Sequence, residues 1–209
     1  MIKDNSKTQF IETWGPAGYR ENWEVYINQA QMPESEFVKT MLSDRYNPEH
    51  TCLEIGCGGG YWTDKYLAPN FKQVIALDVI PQPVFANPNI AYIELPDRNF
   101  ECYGVPDGSI DFAFSFGVFC HLSLEAIQTY LIAIFGKLKP GGEAVLYFSN
   151  NDRRPHYKPG QVCEVTDNHI QWVNNDTKTT IKMLKKAGFT GIKDLMPDNP
   201  DSIFYGRKG

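Results

Sequence analysis

Short apolar runs alternate with helical patterns along most of the chain, and this alternation predicts the fold class. The runs that we expect to form strands cover residues 51–55, 73–77, 91–95, 110–116, 143–148, 191–195 and 202–207. Apolar side chains recur at helical spacing in residues 35–46, 61–67, 127–138 and 177–187. Strands that are almost wholly apolar and alternate with helices are typical of a parallel sheet covered on both faces.

The two ends of the chain depart from this alternation. Only residues 196–201 separate the last two predicted strands, so no crossover helix fits there and the pair is expected to be antiparallel. Residues 1–46 are polar with isolated aromatic residues, and we expect a helical cap on a core of residues 47–209 within one domain. Residues 149–176 show no regular pattern and are expected to be irregular.

The composition of the chain argues against several classes of binding partner. Lys and Arg number 20 against 25 Asp and Glu, a net charge of −5 that disfavours a phosphate-gathering surface, so a nucleic-acid partner is not expected. No run approaches the roughly 20 apolar residues of a membrane span, so no membrane partner is expected either. The five cysteines show no metal-ligand spacing and are expected to be reduced thiols in the cytoplasm, with no metal bound: Cys52, Cys57, Cys102, Cys120 and Cys163.

The segment that indicates chemistry is a glycine turn between a strand and a helix, LEIGCGGGYWT at residues 53–63. Gly56 and Gly58 allow positive φ and let a ligand approach the main chain, and Asp78 ends the next strand, where an acid accepts hydrogen bonds from ribose hydroxyls. We therefore expect an adenosine-type ligand. Tyr61 stands where a dinucleotide site needs a small residue, and Glu54 suits a cationic amino-acid group better than a pyrophosphate.

With four later segments, this turn resembles the class I S-adenosyl-L-methionine (SAM)-dependent methyltransferase family. Those segments are VPDGSIDFAFS at 105–115, HL at 121–122, LKPGG at 138–142 and AGF at 187–189. The resemblance implies an α/β, Rossmann-like fold with helices on both faces of a seven-stranded, mostly parallel sheet, in the order 3-2-1-4-5-7-6 with the last strand antiparallel. It also implies SAM as cofactor, S-adenosyl-L-homocysteine as product, and an enzyme that methylates an O, N or C atom of a small-molecule acceptor.

Site residues follow from the same resemblance. It assigns cofactor binding to Glu54, Gly56, Cys57, Gly58, Asp78, Val79, Asp97, Asn99, Phe100, Ser115 and Phe116. Asp78 is expected to bind the ribose hydroxyls, and Glu54 is expected near the amino group of the methionine part. His121 and Tyr19 are the candidate general bases.

Three alternatives stay open. The chain could be a noncatalytic SAM-binding regulatory protein, or a NAD-dependent dehydrogenase, against which Tyr61 argues. It could also be a nucleic-acid methyltransferase that uses the cationic stretch Arg153–Lys158, which is otherwise a solvated loop or part of a substrate pocket. The sequence leaves open whether the chain forms a homodimer.

Overall fold

The computed structural model describes residues 6–14, 34–81, 85–150, 152–153, 162–165, 171–173, 175–199 and 201–209. The α-helices are α1 (Lys7–Trp14), α2 (Glu34–Met41), α3 (Leu124–Lys137) and α4 (Thr177–Ala187). The strands are β1 (Asn47–Ile55), β2 (Phe71–Asp78), β3 (Ile90–Glu94), β4 (Ile110–Ser115), β5 (Leu138–Phe148), β6 (Val162–Val165), β7 (Gln171–Val173), β8 (Thr190–Asp194) and β9 (Ser202–Arg207).

Seven strands form one sheet in the order β3-β2-β1-β4-β5-β9-β8. The pairs that join β3, β2, β1, β4 and β5 are parallel, whereas β9 is antiparallel to both of its neighbours. The predicted fold class, strand order and antiparallel last strand are confirmed. The parallel strands also bring their carboxyl ends to one edge of the sheet, where the glycine turn follows β1.

Two buried clusters lie against the sheet, and alternate side chains of β1 contribute to different ones. Leu53 and Ile55 belong to the cluster that includes Leu131 of α3 and Leu184 of α4. Cys52 belongs to the cluster that includes residues of α2 and the first residues after the glycine turn. Because successive strand side chains point to opposite faces, this division explains why the carboxyl-terminal part of β1, residues 52–55, is buried without alternation.

Local signals in the sequence account for the helix ends. Ser123 caps α3 by accepting a hydrogen bond from the Ala126 N–H at 3.2 Å, and Asp176 caps α4 by accepting one from the Thr179 N–H at 2.5 Å. Gly188, with φ of 110°, ends α4 in the left-handed region. The helix predicted over residues 61–67 continues from its first two residues as a π-helical turn, Thr63–Leu67.

The connection between β5 and α4 differs from the irregular stretch that the sequence predicts. It contains β6 and β7, which pair as a separate antiparallel two-stranded sheet. At its start, the mostly buried Arg153 side chain binds the turn between β8 and β9. Its Nη1 donates to the carbonyls of Met196, Asn199 and Asp201 at 3.0, 2.7 and 2.7 Å, and its Nη2 donates to Asp194 at 2.6 Å. Residues 154–158 of the cationic stretch lie outside the described residues.

No helix in the described part of the chain is both long and apolar enough to cross a bilayer.

Glu54 is a carboxyl group buried inside β1, with 1% of its surface exposed. Its Oε2 accepts a hydrogen bond from Thr63 Oγ1 at 2.5 Å. Burial raises the pKa of Glu54 from 4.5 to about 8, because the charged form loses its hydration and the neighbouring Asp78 and Asp64 repel it, although the Thr63 hydrogen bond opposes the shift. The folded protein therefore holds a proton on Glu54 that the unfolded chain releases.

We expect the Glu54→Gln variant to gain stability relative to the wild-type protein as the pH rises from about 5 to about 8. In this window the folded state binds more protons than the unfolded state, so the wild-type free energy of unfolding falls with pH, by up to about 1.4 kcal/mol per pH unit from this group. Urea unfolding at several pH values measures the difference. Glu49→Gln, at an exposed position of β1, should follow the wild-type curve. Parallel curves for Glu54→Gln and wild type would contradict the buried neutral carboxyl.

Candidate functional site

A cleft of about 680 Å³, including its open mouth, lies at the edge of the sheet where β1, β2 and β4 end. The described residues that line it are Phe10, Gly56, Gly58, Asp78, Val79, Ile80, Leu95, Asn99, Phe100, Phe116, Gly117, Val118, His121, Leu122 and Tyr130. Turns that follow neighbouring parallel strands converge here, which is the usual place for a ligand in an open α/β sheet.

The glycine turn leaves main chain uncovered on one side of the cleft. Gly56 has φ of 72°, and its N–H donates to the Leu77 carbonyl at 2.7 Å. A Cβ at this position would stand 2.1 Å from Cγ2 of Val118, which itself lines the cleft. Both the backbone conformation and the lack of space therefore require glycine here.

Asp78 supplies a carboxylate to the cleft wall and connects the two turns beside it. Its Oδ2 accepts from the Gly58 N–H at 2.7 Å, and its Oδ1 accepts from the N–H groups of Val79 at 2.7 Å and Ile80 at 3.2 Å. Burial raises the pKa of Asp78, whereas the three backbone hydrogen bonds and the positive charge of Lys7 act in the opposite direction. With two hydrogen bonds on Oδ1 and one on Oδ2, the carboxylate keeps acceptor capacity for a ligand hydroxyl at Oδ2.

Beyond Asp78, the cleft wall is apolar. Leu95, Phe100, Leu122 and Tyr130 line this part, and the rings of Phe100 and Tyr130 lie 5.5 Å apart. Asn99 adds an amide among them. An apolar wall with aromatic rings and a few polar groups suits a flat heterocycle such as a purine.

Helix α1 lies beside the cleft opening. The Lys7 N–H donates to Asp97 Oδ1 at 2.7 Å, and the Lys7 ammonium group forms an ion pair with Glu94. Phe10, one turn later, lines the cleft, and its ring meets the ring of His121 edge-on at 6.3 Å. These contacts bring a segment about 90 residues away in the sequence to the site, as the separation from Lys7 to Asp97 shows.

The structure brings most of the sequence-predicted site residues together. Those that line the cleft are Gly56, Gly58, Asp78, Val79, Asn99, Phe100, Phe116 and the candidate base His121. Their roles toward a ligand stay predictions.

Four predicted cofactor residues are not part of the described cleft lining. Glu54 points to Thr63, Asp97 is exposed on the surface and holds α1, and the Cys57 thiol is buried against the Gly58 carbonyl at 3.7 Å. Ser115 is buried, and its Oγ has no hydrogen-bond partner among the described residues. Tyr19 lies outside the described residues. The assignment of these five residues to the cofactor or to catalysis stays a prediction.

Several cleft residues were not identified from the sequence, Phe10 and Tyr130 foremost. Tyr130 belongs to the apolar stripe of α3 and is 4% exposed, so its spacing indicates core packing alone. Its hydroxyl is the one signal that could have marked it, because a buried tyrosine usually places its polar end near a partner. Phe10 carries no such signal, since its position depends on a distant contact of Lys7.

The parts of SAM match this arrangement of groups. Asp78, the glycine turn at Gly56 and Gly58, and the Leu95–Phe100 region all line this one cleft, as the sequence-predicted positions of the ribose, the methionine part and the adenine require. Among the described residues, no group of three or more His, Cys, Asp or Glu side chains lies together as a metal site would require.

Comparison with known proteins identifies the family. The family described as a methyltransferase domain matches residues 26–193, which is more than half of the chain. A tRNA U34 carboxymethyltransferase of Shewanella oneidensis is 31% identical over 175 residues, covering 77% of this chain and 49% of that protein. One from Shewanella loihica is 28% identical over 153 residues, covering 68% of this chain and 44% of the relative. The chain thus spans about half the length of the curated relatives it matches.

Solved structures share the fold at low sequence identity. A Burkholderia thailandensis 1,6-didemethyltoxoflavin-N1-methyltransferase, with its substrate and S-adenosylhomocysteine bound, superposes with a TM-score of 0.68 at 17% identity, covering 97% of this chain and 86% of that one. Human N-acetylserotonin methyltransferase in complex with SAM superposes with a TM-score of 0.66 at 17% identity. The superposition covers 97% of this chain and 56% of the human one.

The relatives also correct one expectation. The net charge of −5 led us to expect no nucleic-acid partner, and this is wrong, because relatives that match the chain in sequence include enzymes named for a tRNA position. The physical reason is that net charge sums the whole surface, whereas phosphates respond to the local field. The family match, the sheet order and the cleft agree with one another, and the chain belongs to the class I SAM-dependent methyltransferases.

Proposed function

We propose that this enzyme transfers the methyl group of SAM to a nucleobase atom of an RNA, with a tRNA as the first candidate. The SAM-binding part of this proposal rests on one observation, which is that the Asp78 carboxylate and the glycine turn line the same cleft. The acceptor half is supported by relatives that are named for a tRNA uridine. A cytoplasmic location is part of this proposal, supported by four buried free cysteines among the described residues.

In this proposal each part of the cleft has one task. Asp78 binds the ribose hydroxyls, Gly56 and Gly58 face the methionine part, and the adenine packs against the apolar wall that includes Phe100 and Leu95. SAM, when bound, supplies a methyl group already activated by its sulfonium. The contribution of the protein is therefore to orient the acceptor in line with that methyl group and to exclude water.

The lining of the cleft favours methyl transfer over carboxymethyl transfer, the reaction for which the relatives are named. A carboxymethyl donor would bring an additional carboxylate, which needs a cationic partner when it leaves water. Among the described lining residues there is no Lys or Arg, and the single group that can become cationic is His121. We therefore assign the simpler methyl donor to this chain.

Aromatic rings at the open side of the cleft suit a planar acceptor. Phe10, Phe116 and His121 all line it, and unpaired bases of RNA are commonly held by stacking on such rings. Phe116 is itself held by Phe37, Trp62 and Tyr147, with ring centroids 5.2, 5.3 and 4.6 Å away. A ring fixed in this way offers a preorganised surface to an incoming base.

We expect Asp78→Asn to weaken SAM binding by about tenfold or more, because hydrogen bonds to a charged acceptor contribute roughly 1.5–3 kcal/mol. Isothermal titration calorimetry with SAM measures the affinity, and thermal unfolding checks that the turn at Gly58 still folds. Asp107→Asn removes the same charge from an exposed position before β4, at the opposite edge of the sheet, and should bind SAM like the wild type. Equal affinities for both variants would mean that the ribose binds elsewhere.

We expect His121→Asn to lower kcat by about 100-fold, the order contributed by a general base, while the affinity for SAM changes little. The acidic limb of the pH–rate profile should disappear with the imidazole. His50→Asn, on the amino-terminal half of β1, serves as the matched control and should keep wild-type kinetics. An unchanged kcat in His121→Asn would exclude this residue as the base.

The acceptor is tested by incubating the enzyme with SAM carrying a tritiated methyl group and unfractionated tRNA. We expect tritium in acid-precipitable material that ribonuclease digestion releases, and a mass increase of one methyl group on a nucleoside. Asp78→Asn should lower this incorporation at subsaturating SAM. Transfer to small molecules of a cell extract, with none to RNA, would contradict the proposed acceptor.

A further inference from the structure

Helix α4 presents opposite faces to the core and to the outside. Its buried residues are Thr180, Met183, Leu184 and Ala187. Lys178, Lys182, Lys185 and Lys186 are all exposed. At 3.6 residues per turn these four positions fall within an arc of about 100° on the side away from the buried residues. We call these four residues the lysine face.

The lysine face carries charge that the protein itself does not neutralise. No ion pair between described residues includes any of the four lysines, whereas Lys7, Lys65, Lys137 and Lys139 each pair with a carboxylate. Residues 177–193 contain five lysines and no Asp or Glu, in a chain whose net charge is −5. Positive charge is thus concentrated on one helix of an acidic protein.

The helix dipole accounts for only two of the four lysines on this face. Lys185 and Lys186 lie in the last turn of α4, where cations are favoured by the helix dipole. Lys178 lies in the first turn, where the helix dipole disfavours a cation, although the carboxylates of Asp176 and Asp152 accept hydrogen bonds from backbone N–H groups at that end. The dipole therefore does not account for Lys178, and no ion pair between described residues includes it.

The position of α4 connects the lysine face to the cleft edge. Thr177, its first residue, accepts a hydrogen bond at Oγ1 from Asn150 Nδ2 at 3.0 Å, and its N–H donates to Asp152 at 3.1 Å. Asn150 and Asp152 follow the carboxyl end of β5, so α4 begins at the sheet edge where the cleft opens. From there its 11 residues extend about 16 Å away from that edge.

We propose that the lysine face binds the phosphate backbone of the RNA acceptor and so directs a base toward the cleft. This inference rests on the proposed function, because it assigns the RNA-binding surface of the same enzyme. Phosphates are the partner that matches an array of unpaired lysines, and such contacts supply affinity without reading sequence. The surface complements a polyanion, and an RNA acceptor is the polyanion that the reaction itself requires.

The test compares charge-neutralised variants in binding to fluorescein-labelled unfractionated tRNA at several KCl concentrations. We expect the variant with all four lysines of the face changed to Gln to bind tRNA at least tenfold more weakly. The slope of log Kd against log salt concentration should fall by about 3, since the variant loses four phosphate contacts and each contributes roughly 0.7–0.9 to the slope. SAM affinity, measured by calorimetry, should stay at the wild-type value.

Two double variants with the same change in net charge test whether the position of the lysines matters for tRNA binding. Lys182→Gln with Lys185→Gln neutralises the lysine face, and Lys39→Gln with Lys72→Gln removes the same charge from exposed positions on α2 and β2. We expect only the first pair to weaken tRNA binding. Glutamine keeps a helix propensity close to that of lysine, so α4 should fold in both.

Three results would overturn the inference, and they differ in what they say about the acceptor. Equal tRNA affinity in the wild type and the four-lysine variant would overturn the lysine face and leave the RNA acceptor standing. Absence of tRNA binding and of methyl transfer to tRNA in the wild type would overturn both. Lysine-dependent binding to phosphatidylserine vesicles, with none to tRNA, would assign the face to a lipid surface.

Discussion

The Asp78 carboxylate is the group on which the arrangement of the cleft depends. Its two oxygens accept hydrogen bonds from N–H groups of the glycine turn after β1 and of the turn after β2. Without this shared acceptor, both turns would leave buried N–H groups unpaired, at a cost of about 1–3 kcal/mol each. Asp78 also lines the cleft, so a single side chain both fixes the turns around the cleft and gives it a carboxylate.

The parts of the fold that sequence reasoning predicted are those with local causes. Apolar runs identify the strands of the large sheet, helical spacing of apolar residues identifies α4, and the short link before β9 requires an antiparallel pair. The convergence of the glycine turn and Asp78 in one cleft was likewise predictable, because strand ends in a parallel sheet meet at one edge.

The remaining features depend on contacts between distant residues, which a single sequence does not display. Phe10 reaches the cleft because Lys7 binds Glu94 and Asp97. Tyr130 lines the cleft as well, but in the sequence it belongs to the apolar stripe of α3 and cannot be told apart from a core residue. Arg153 looks like a solvent-exposed cation in sequence, yet its guanidinium fits carbonyls 43 to 48 residues away. The net charge led to a wrong expectation about nucleic-acid partners for a related reason, because a sum over the whole chain does not show where the lysines lie.

The position of β9 between β5 and β8 has a consequence for synthesis of the protein on the ribosome. β8 leaves the exit tunnel first, but it has no neighbour in the sheet until β9 follows and separates it from β5. Its open hydrogen-bonding groups must therefore wait for about a dozen further residues to emerge, from Asp194 to Arg207. During that interval the nascent chain carries an unprotected β-edge, the kind of surface that chaperones shield.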